Sequence, residues 1–474
     1  MTTADRGAVA TQSPRAQHAI RGAVAVVVVA LAVVLGGSGD GASGSAPASG
    51  AAWLVPADAL VYVHLSTDRD RSATAAAAKV ADAFPSWSAL RDGIVKRLQA
   101  PGCDVAAKAL KTADEAALAI FDTGAGKTAN SLVLVDTGAE HPGTKQRGCG
   151  SLSSEYVGTF LAIGQPESLA LAEKLHRGDG ASLAAAAGPK KAFGELPADR
   201  VVDGWVSRDG VRRLLAPQGG LLGAVGTLFD QPALRGAAFG LSAAGDRARL
   251  VVKSQLDPKI ARSTASGFTK FTPTLADQVP ATAMAYLGVS NLAPALQRIL
   301  AAAGSSSAQL KPLIGKLDKP LKQVFPGEAA IVLTSAAPAP VLTILAAAKD
   351  EAATRKTLAG LPAAVRKSFS TAVWDGKVAV STDPKGIAAV KAGGDRLTDT
   401  DQWSKAVGNH PESISSLLFL NFSRLLTLGE QTGLGQSGAY QAAKGDLSKV
   451  RAIGAHTSGN DSESTAEITL LITL

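Results

Sequence analysis

A chain of 474 residues with 46% apolar and 19% charged side chains is globular rather than disordered, and too long for one ordinary core, so two or more domains are expected. Aromatic residues make up only 4%, which leaves Ala, Val and Leu to fill the interior. The net charge of +8 comes without a Lys/Arg cluster interleaved with aromatics, so nucleic-acid binding has no support.

Residues 1–21 are polar and carry Arg6, Arg15 and Arg21 against Asp5. An uncharged run of Ala, Val and Leu follows from Gly22 to Gly37. As a helix those residues span about 24 Å, slightly short of a hydrocarbon core of about 30 Å. Arg21 can snorkel and Ala19–Ile20 can lengthen the segment, so a single transmembrane anchor is expected over 22–37. A cleaved signal peptide is the rival, but its best small-x-small site, Ala46-Pro-Ala48, lies well past the apolar run. Either way the basic tail is cytoplasmic and everything after it extracytoplasmic. Residues 38–52 are rich in Gly, Ser and Ala and read as a flexible linker.

The body begins at Trp53. The stretch Pro56–Ser66 reads Pro-Ala-Asp-Ala-Leu-Val-Tyr-Val-His-Leu-Ser, with Val61, Val63 and Leu65 on one strand face and Tyr62 and His64 on the other, less apolar face. Versions of it return at Pro197–Ser207, Pro280–Ser290 and, more loosely, Pro411–Ser423. After Ala-rich helical segments, Glu115–Phe121 and Ser131–Val135 read as a hairpin, Tyr156–Gly164 as a strand, and Pro166–Leu175 as a helix entered through Pro. Strands are then expected at Val201–Ser207, Ala237–Ser242 and Ala248–Lys253, the last two joined by a Gly-Asp turn.

This order repeats. Pro280 lies 224 residues after Pro56, placing Tyr286 on Tyr62 and Gly288 on His64; Glu328 lies 213 after Glu115, and Pro411 lies 214 after Pro197. Near-constant offsets over several anchors indicate a tandem duplication, with one α+β repeat over 53–270 and a second over 271–474. Strands grouped as hairpins with helices between the groups point to mainly antiparallel sheets with helices packed on them.

Cys103 and Cys149 are the only cysteines, and outside the membrane one internal disulfide between them is expected. The second copy has neither, but carries a helix-like insert, Lys349–Lys367. The expectation is that the disulfide clamps in the first copy what the extra helix covers in the second.

Motifs for chemistry fail on inspection. Gly124-Ala-Gly-Lys-Thr128 lacks the Gly that a phosphate loop requires at Phe121 and is followed by a strand, so it reads as a hairpin turn. None of the six histidines has a second His at metal-ligand spacing, and His64 reads as structural. Asp68/Asp70 and Asp399/Asp401 read as acids at helix starts, and Tyr62 and Tyr286 as space-filling residues beneath helices. No catalytic, cofactor-binding or metal residues are expected.

With its single N-terminal span, Pro56–Ser66 strand and second copy from Pro280, the chain resembles an actinobacterial family of membrane-anchored proteins, the domain of unknown function 3352 family, over most of residues 53–474. The resemblance implies an anchored envelope protein and transfers no catalytic residue. The expected function is therefore non-enzymatic: a single-pass extracytoplasmic protein of the cell membrane that binds an envelope partner or an apolar ligand. A lipid-carrying module and an extracytoplasmic hydrolase are the alternatives. A cleft of converging acids and His would mark the hydrolase, and an apolar cavity the carrier.

Overall fold

The computed structural model describes residues 46–89, 92–93, 104–124, 128–141, 145–149, 152–215, 232–263, 269–293, 320–336 and 339–474. The basic tail, the anchor over 22–37, the linker up to residue 45 and Cys103 lie outside the described residues. Among the described residues, no helix is long and apolar enough to cross a membrane. The chain is α+β, built of antiparallel strands and helices, and divides into two compact units. The first runs to Gln231 and takes in Arg235–Ser242; the second holds Pro232–Leu234 and Ala243–Leu474.

In the first unit, β1 (Val61–Ser66) lies between β2 (Glu115–Thr123) and β7 (Arg200–Ser207). The remaining strands are β3 (Thr128–Asp136), β4 (Lys145–Cys149), β5 (Leu152–Val157), β6 (Phe160–Gly164) and β8 (Leu234–Ala244). Pairing runs β4-β5-β6-β3-β2-β1-β7-β8, every step antiparallel. β2 is buried from Glu115 through Phe121 without alternation, as expected of a central strand covered on both faces. On one face Leu60, Leu118, Ile120 and Leu214 form a cluster, extended by Ala106, Leu161 and Ile163. The helix Asp104–Ala109 (α2) supplies Ala106 to it, and Ser72–Asp82 (α1) precedes it in the chain. On the other face lie Tyr62, Ala119, Phe121, Leu132 and Leu134, all essentially inaccessible. α3 (Pro166–His176) starts with Pro at its first turn, where the missing N–H costs nothing. It lays Leu169, Ala172 and Leu175 over β3, β5 and β6, and α4 (Ala187–Gly194) sits beside β7.

The second unit holds β9 (Arg247–Leu256), β10 (Ala283–Ser290), β11 (Glu328–Ala336), β12 (Ala339–Ala347), β13 (Ser370–Trp374), β14 (Lys377–Ser381), β15 (Ser416–Leu420), β16 (Val450–Gly459) and β17 (Glu463–Ile472). They pair as β13-β14-β12-β11-β10-β15-β16-β17-β9, again all antiparallel. The run β5-β6-β3-β2-β1-β7 of the first unit thus has the same pairing order as β13-β14-β12-β11-β10-β15 of the second. Register agrees too: Tyr62 stands opposite Ala119 and Trp205, and Tyr286 opposite Val332 and Phe419.

The helices of this unit are α5 (Pro258–Ser263), α6 (Glu351–Ala359), α7 (Ala363–Ser368), α8 (Pro384–Lys391), α9 (Asp401–Val407), α10 (Phe422–Gln431) and α11 (Gly438–Leu447). The expected insert is thus two helices, and α6 seats Leu358 against a cluster of Val289, Val324, Phe325 and Val378. The larger cluster, on the opposite face, gathers Tyr286, Trp403, Phe419, Leu417 and Leu345.

One local reading of the sequence changes. Tyr156–Gly164, expected as one strand, is the end of β5 and all of β6, turned back at Gly158 with φ +59°. The apolar run continues across the turn, so periodicity hides it; Asp375-Gly376 makes the matching turn between β13 and β14 with both φ positive. The Gly124 motif is a hairpin connection, with Thr123 directly opposite Thr128.

α9 lies directly on β16 at Gly454, where a Cβ would stand 2.2 Å from the Ala406 carbonyl oxygen. Gly454→Val must lift the helix or bend the strand, and is expected to destabilise the second unit by about 1–3 kcal/mol. Thermal melting followed by tryptophan fluorescence reads this; an unchanged Tm would show that the helix is free to move off.

Candidate functional site

Both units carry the same device. A 3₁₀ turn precedes β1 in one and β10 in the other, Gly50–Leu54 and Leu275–Gln278. The first amides of such a turn have no partner within it. In the first unit Glu115, the opening residue of β2, accepts from Gly50 N–H at 3.0 Å and Ala51 N–H at 2.6 Å. In the second, Glu328 accepts from Thr274 N–H at 2.7 Å, Leu275 N–H at 2.9 Å and the Thr274 hydroxyl at 2.5 Å. A carboxylate at the positive end of a helical turn is favoured by hydrogen bonding and by dipole alignment together.

Only the first unit builds further on it. His64 on β1 stands between two acids, its Nδ1 3.2 Å from Asp203 Oδ1 and its Nε2 3.9 Å from Glu115 Oε2. Neither approach is aligned for a hydrogen bond, so these are ion-pair contacts. Arg200 completes the group, its Nε donating to Asp203 Oδ2 at 2.7 Å. A second guanidinium, Arg71, is held alongside by the Ser66 hydroxyl and the carbonyls of Ala198 and Arg200. His64, Asp203 and Glu115 are 0%, 1% and 3% exposed.

Burial sets the charges against one another. It lowers the pKa of His64, but Asp203 and Glu115 outweigh it despite Arg200, and the imidazole ends above its usual value. Burial raises the Asp203 carboxyl, yet His64 and Arg200 bring it below the usual carboxylate range. For Glu115 burial wins over His64 and the two amides, and its pKa is raised. With His64 protonated, His64 and Arg200 balance Asp203 and Glu115, and Arg71 alongside interacts favourably with Asp203. What the cluster can do chemically is hold a proton in a sealed place. The acid–histidine pair lies out of reach of solvent.

The other singled-out residues are structural. Tyr62 and Tyr286 are buried beneath helices, Tyr62 edge-on to Phe193 and Tyr286 edge-on to Trp403, and neither hydroxyl has a hydrogen-bond partner. Asp68 accepts from Asp70 N–H in a local turn, while α1 has Arg71 at its N-cap and no side-chain cap. The cap of α9 is Thr400, with Asp401 in its first turn. His410 and His456 come together with ring centroids 6.4 Å apart; burial first, then His410, pushes His456 down to about 4, so it stays neutral. Cys149 lies on β4, while Cys103 is outside the described residues. Among the described residues no group of three or more His, Cys, Asp or Glu is placed to hold a metal.

The second unit has an open cleft of about 370 Å³ where α9 and α10 meet β15. Its polar groups largely satisfy one another. Asn421 caps α10 through Arg424 N–H and donates to Gln402 Oε1 at 2.9 Å, and Arg424 donates to the Ala281 carbonyl. Sequence reasoning missed this cleft, together with Asp203, Arg200 and Arg71. Asp203 was visible as a lone charge within Val201-Val202-Asp203-Gly204-Trp205-Val206.

No family model matches the chain, and no curated protein matches it. One solved structure, described as "Structure of crystal form I of TP0453", is similar at 9% identity with a TM-score of 0.26, covering 48% of this chain and 89% of that one. A score that low carries no argument about fold or function.

Proposed function

We propose that this chain is a non-enzymatic, membrane-anchored extracytoplasmic protein, two repeats of one α+β unit made by tandem duplication, whose body binds an apolar partner surface of the cell envelope. The shared pairing order and the Glu115/Glu328 correspondence support the duplication. The observation that carries the binding reading is α10. Its apolar residues Phe422, Leu425, Leu426 and Leu428 recur at helical spacing, yet none of its residues is buried. That face is half-buried against β10 and β16, with Leu434 exposed beside it, and an apolar face only partly covered suits a binding surface. The acids and histidine of the first unit lie in the core rather than in a cleft, which favours binding over hydrolysis. The cleft of the second unit is open and rimmed by Asp401, Gln402 and Arg424, which favours a protein surface over a carried lipid.

Trp53 is 57% exposed at the start of the body, so Trp53→Cys offers a reporter of sidedness. In intact cells a membrane-impermeant maleimide is expected to label it; labelling only after lysis would overturn the extracytoplasmic assignment. Native mass spectrometry of the full chain from its own envelope is expected to show a partner that Leu425→Asp/Leu428→Asp releases. Retention of lipid instead would favour the carrier.

A further inference from the structure

The two Glu-held turns form a natural comparison. Glu328 grips Thr274 and Leu275 at a half-exposed site, with Gly288 and Leu417 at the positions that His64 and Asp203 occupy in the first unit. Glu115 does the same for Gly50 and Ala51 inside the core, where its charge must be matched. The matching cation within reach is His64, since the Arg200 guanidinium is committed to Asp203 and the Pro197 carbonyl.

We propose that His64 is a proton-operated latch on the N-terminal segment of the body: its imidazolium keeps Glu115 ionised and closed on Gly50 and Ala51, and loss of that proton loosens the hold on Gly50–Leu54. The groups that face the pair are Asp203 and Arg200 from β7, Tyr62 from β1 itself, and Asp136 of β3 acting on Glu115 through space, with Arg71, just before α1, acting on Asp203 and Arg200. Of these, Asp203, held below the usual carboxylate range, keeps its charge. Tyr62 is held neutral by burial. His64 is therefore the group that changes state as the pH rises past neutrality. Because its folded pKa lies above the ordinary 6.5, the stabilisation is complete below about 6.5 and is lost as the pH climbs through the folded value. Above it, Arg200 and Arg71 remain to face Asp203, and Glu115 loses the cation within its reach. Glu115 then either takes a proton, giving up its charge-assisted bonds, or remains as an unmatched buried charge. Both outcomes loosen the segment that joins the body to its linker.

The test is amide hydrogen exchange on the full chain from pH 6 to 9, corrected for intrinsic rates, with Thr274 and Leu275 as internal reference. Protection of Gly50 and Ala51 relative to that reference is expected to fall about tenfold across the range, the order expected for losing a charge-assisted hydrogen bond. In His64→Gln the ratio should be low and flat. A constant ratio in the wild type, or a pH dependence that survives in His64→Gln, overturns the latch. If that variant does not fold, the imidazole titration of His64 by NMR in the wild type decides: its midpoint must coincide with the loss of protection, and a mismatch overturns the proposal.

Discussion

Replacing Asp203 by Ala is expected to destabilise the first unit by about 3–5 kcal/mol, because it leaves the His64 and Arg200 charges facing each other in a core without an anion between them. Arg200 Nε and His64 Nδ1 both rely on that one carboxylate. Urea denaturation of the full chain reads the loss as a lower midpoint for the transition of the first unit, with the second unit as control. The second unit also suggests how to remove the cluster without penalty. At the offsets of the repeat, Gly288, Ile414 and Leu417 stand for His64, Arg200 and Asp203, and Ile414 and Leu417 are fully buried. The triple replacement His64→Gly/Arg200→Ile/Asp203→Leu is therefore expected to recover part of the stability that Asp203→Ala loses, since it avoids the desolvation of three charges and leaves only Glu115, which has Glu328 as its counterpart in the second unit. A triple variant as unstable as Asp203→Ala would show that the charges are bound to this backbone in a way the second unit does not reproduce.

Tyr286→Ala is expected to cost the second unit about 3–5 kcal/mol, the usual range for truncating a large buried ring. Tyr286 is fully inaccessible, lies opposite Phe419 in the ladder, and stacks edge-on to Trp403 at 5.4 Å between centroids. Trp403 in turn leans on Phe419 at 5.5 Å, so the cavity would open under α9. Tyr286→Phe separates ring from hydroxyl. The hydroxyl has no hydrogen-bond partner and crowds Gly288, where a Cβ would stand only 2.6 Å from it. Removing it should leave stability unchanged or slightly higher, because an unpartnered buried polar group is a cost. A loss above about 1 kcal/mol on Tyr286→Phe would mean the hydroxyl has a partner after all. The crowding also explains the residue after next: where the first unit carries His64 beside Tyr62, the second must carry Gly.

The strands were legible where a short apolar run lies between turn formers, and β1, β2, β3, β7 and the pair β8/β9 fall where that pattern predicts. Helix starts at Pro166 and in the insert after Lys349 were equally readable, since Pro at the first turn and Ala-rich runs carry local information. The β5/β6 turn was not, because an apolar run that crosses a two-residue reversal keeps its hydrophobicity and loses only its direction. Alternation placed Tyr62 and His64 on one face of β1 but could not say what covers it. That less apolar face proved to be the sealed one, for the helices that close over it come from much later in the chain.

From residue order alone came the class of the fold, the internal correspondence of Tyr62 with Tyr286 and Glu115 with Glu328, and the absence of any local chemical motif; all three rest on spacing along one strand or turn, which near neighbours dictate. Only folding in three dimensions brought Asp203 and Arg200 of β7 beside His64 of β1 and Glu115 of β2. Partners in an antiparallel ladder are chosen by register and by the burial of whole faces, and neither is written in the neighbourhood of any one of those residues.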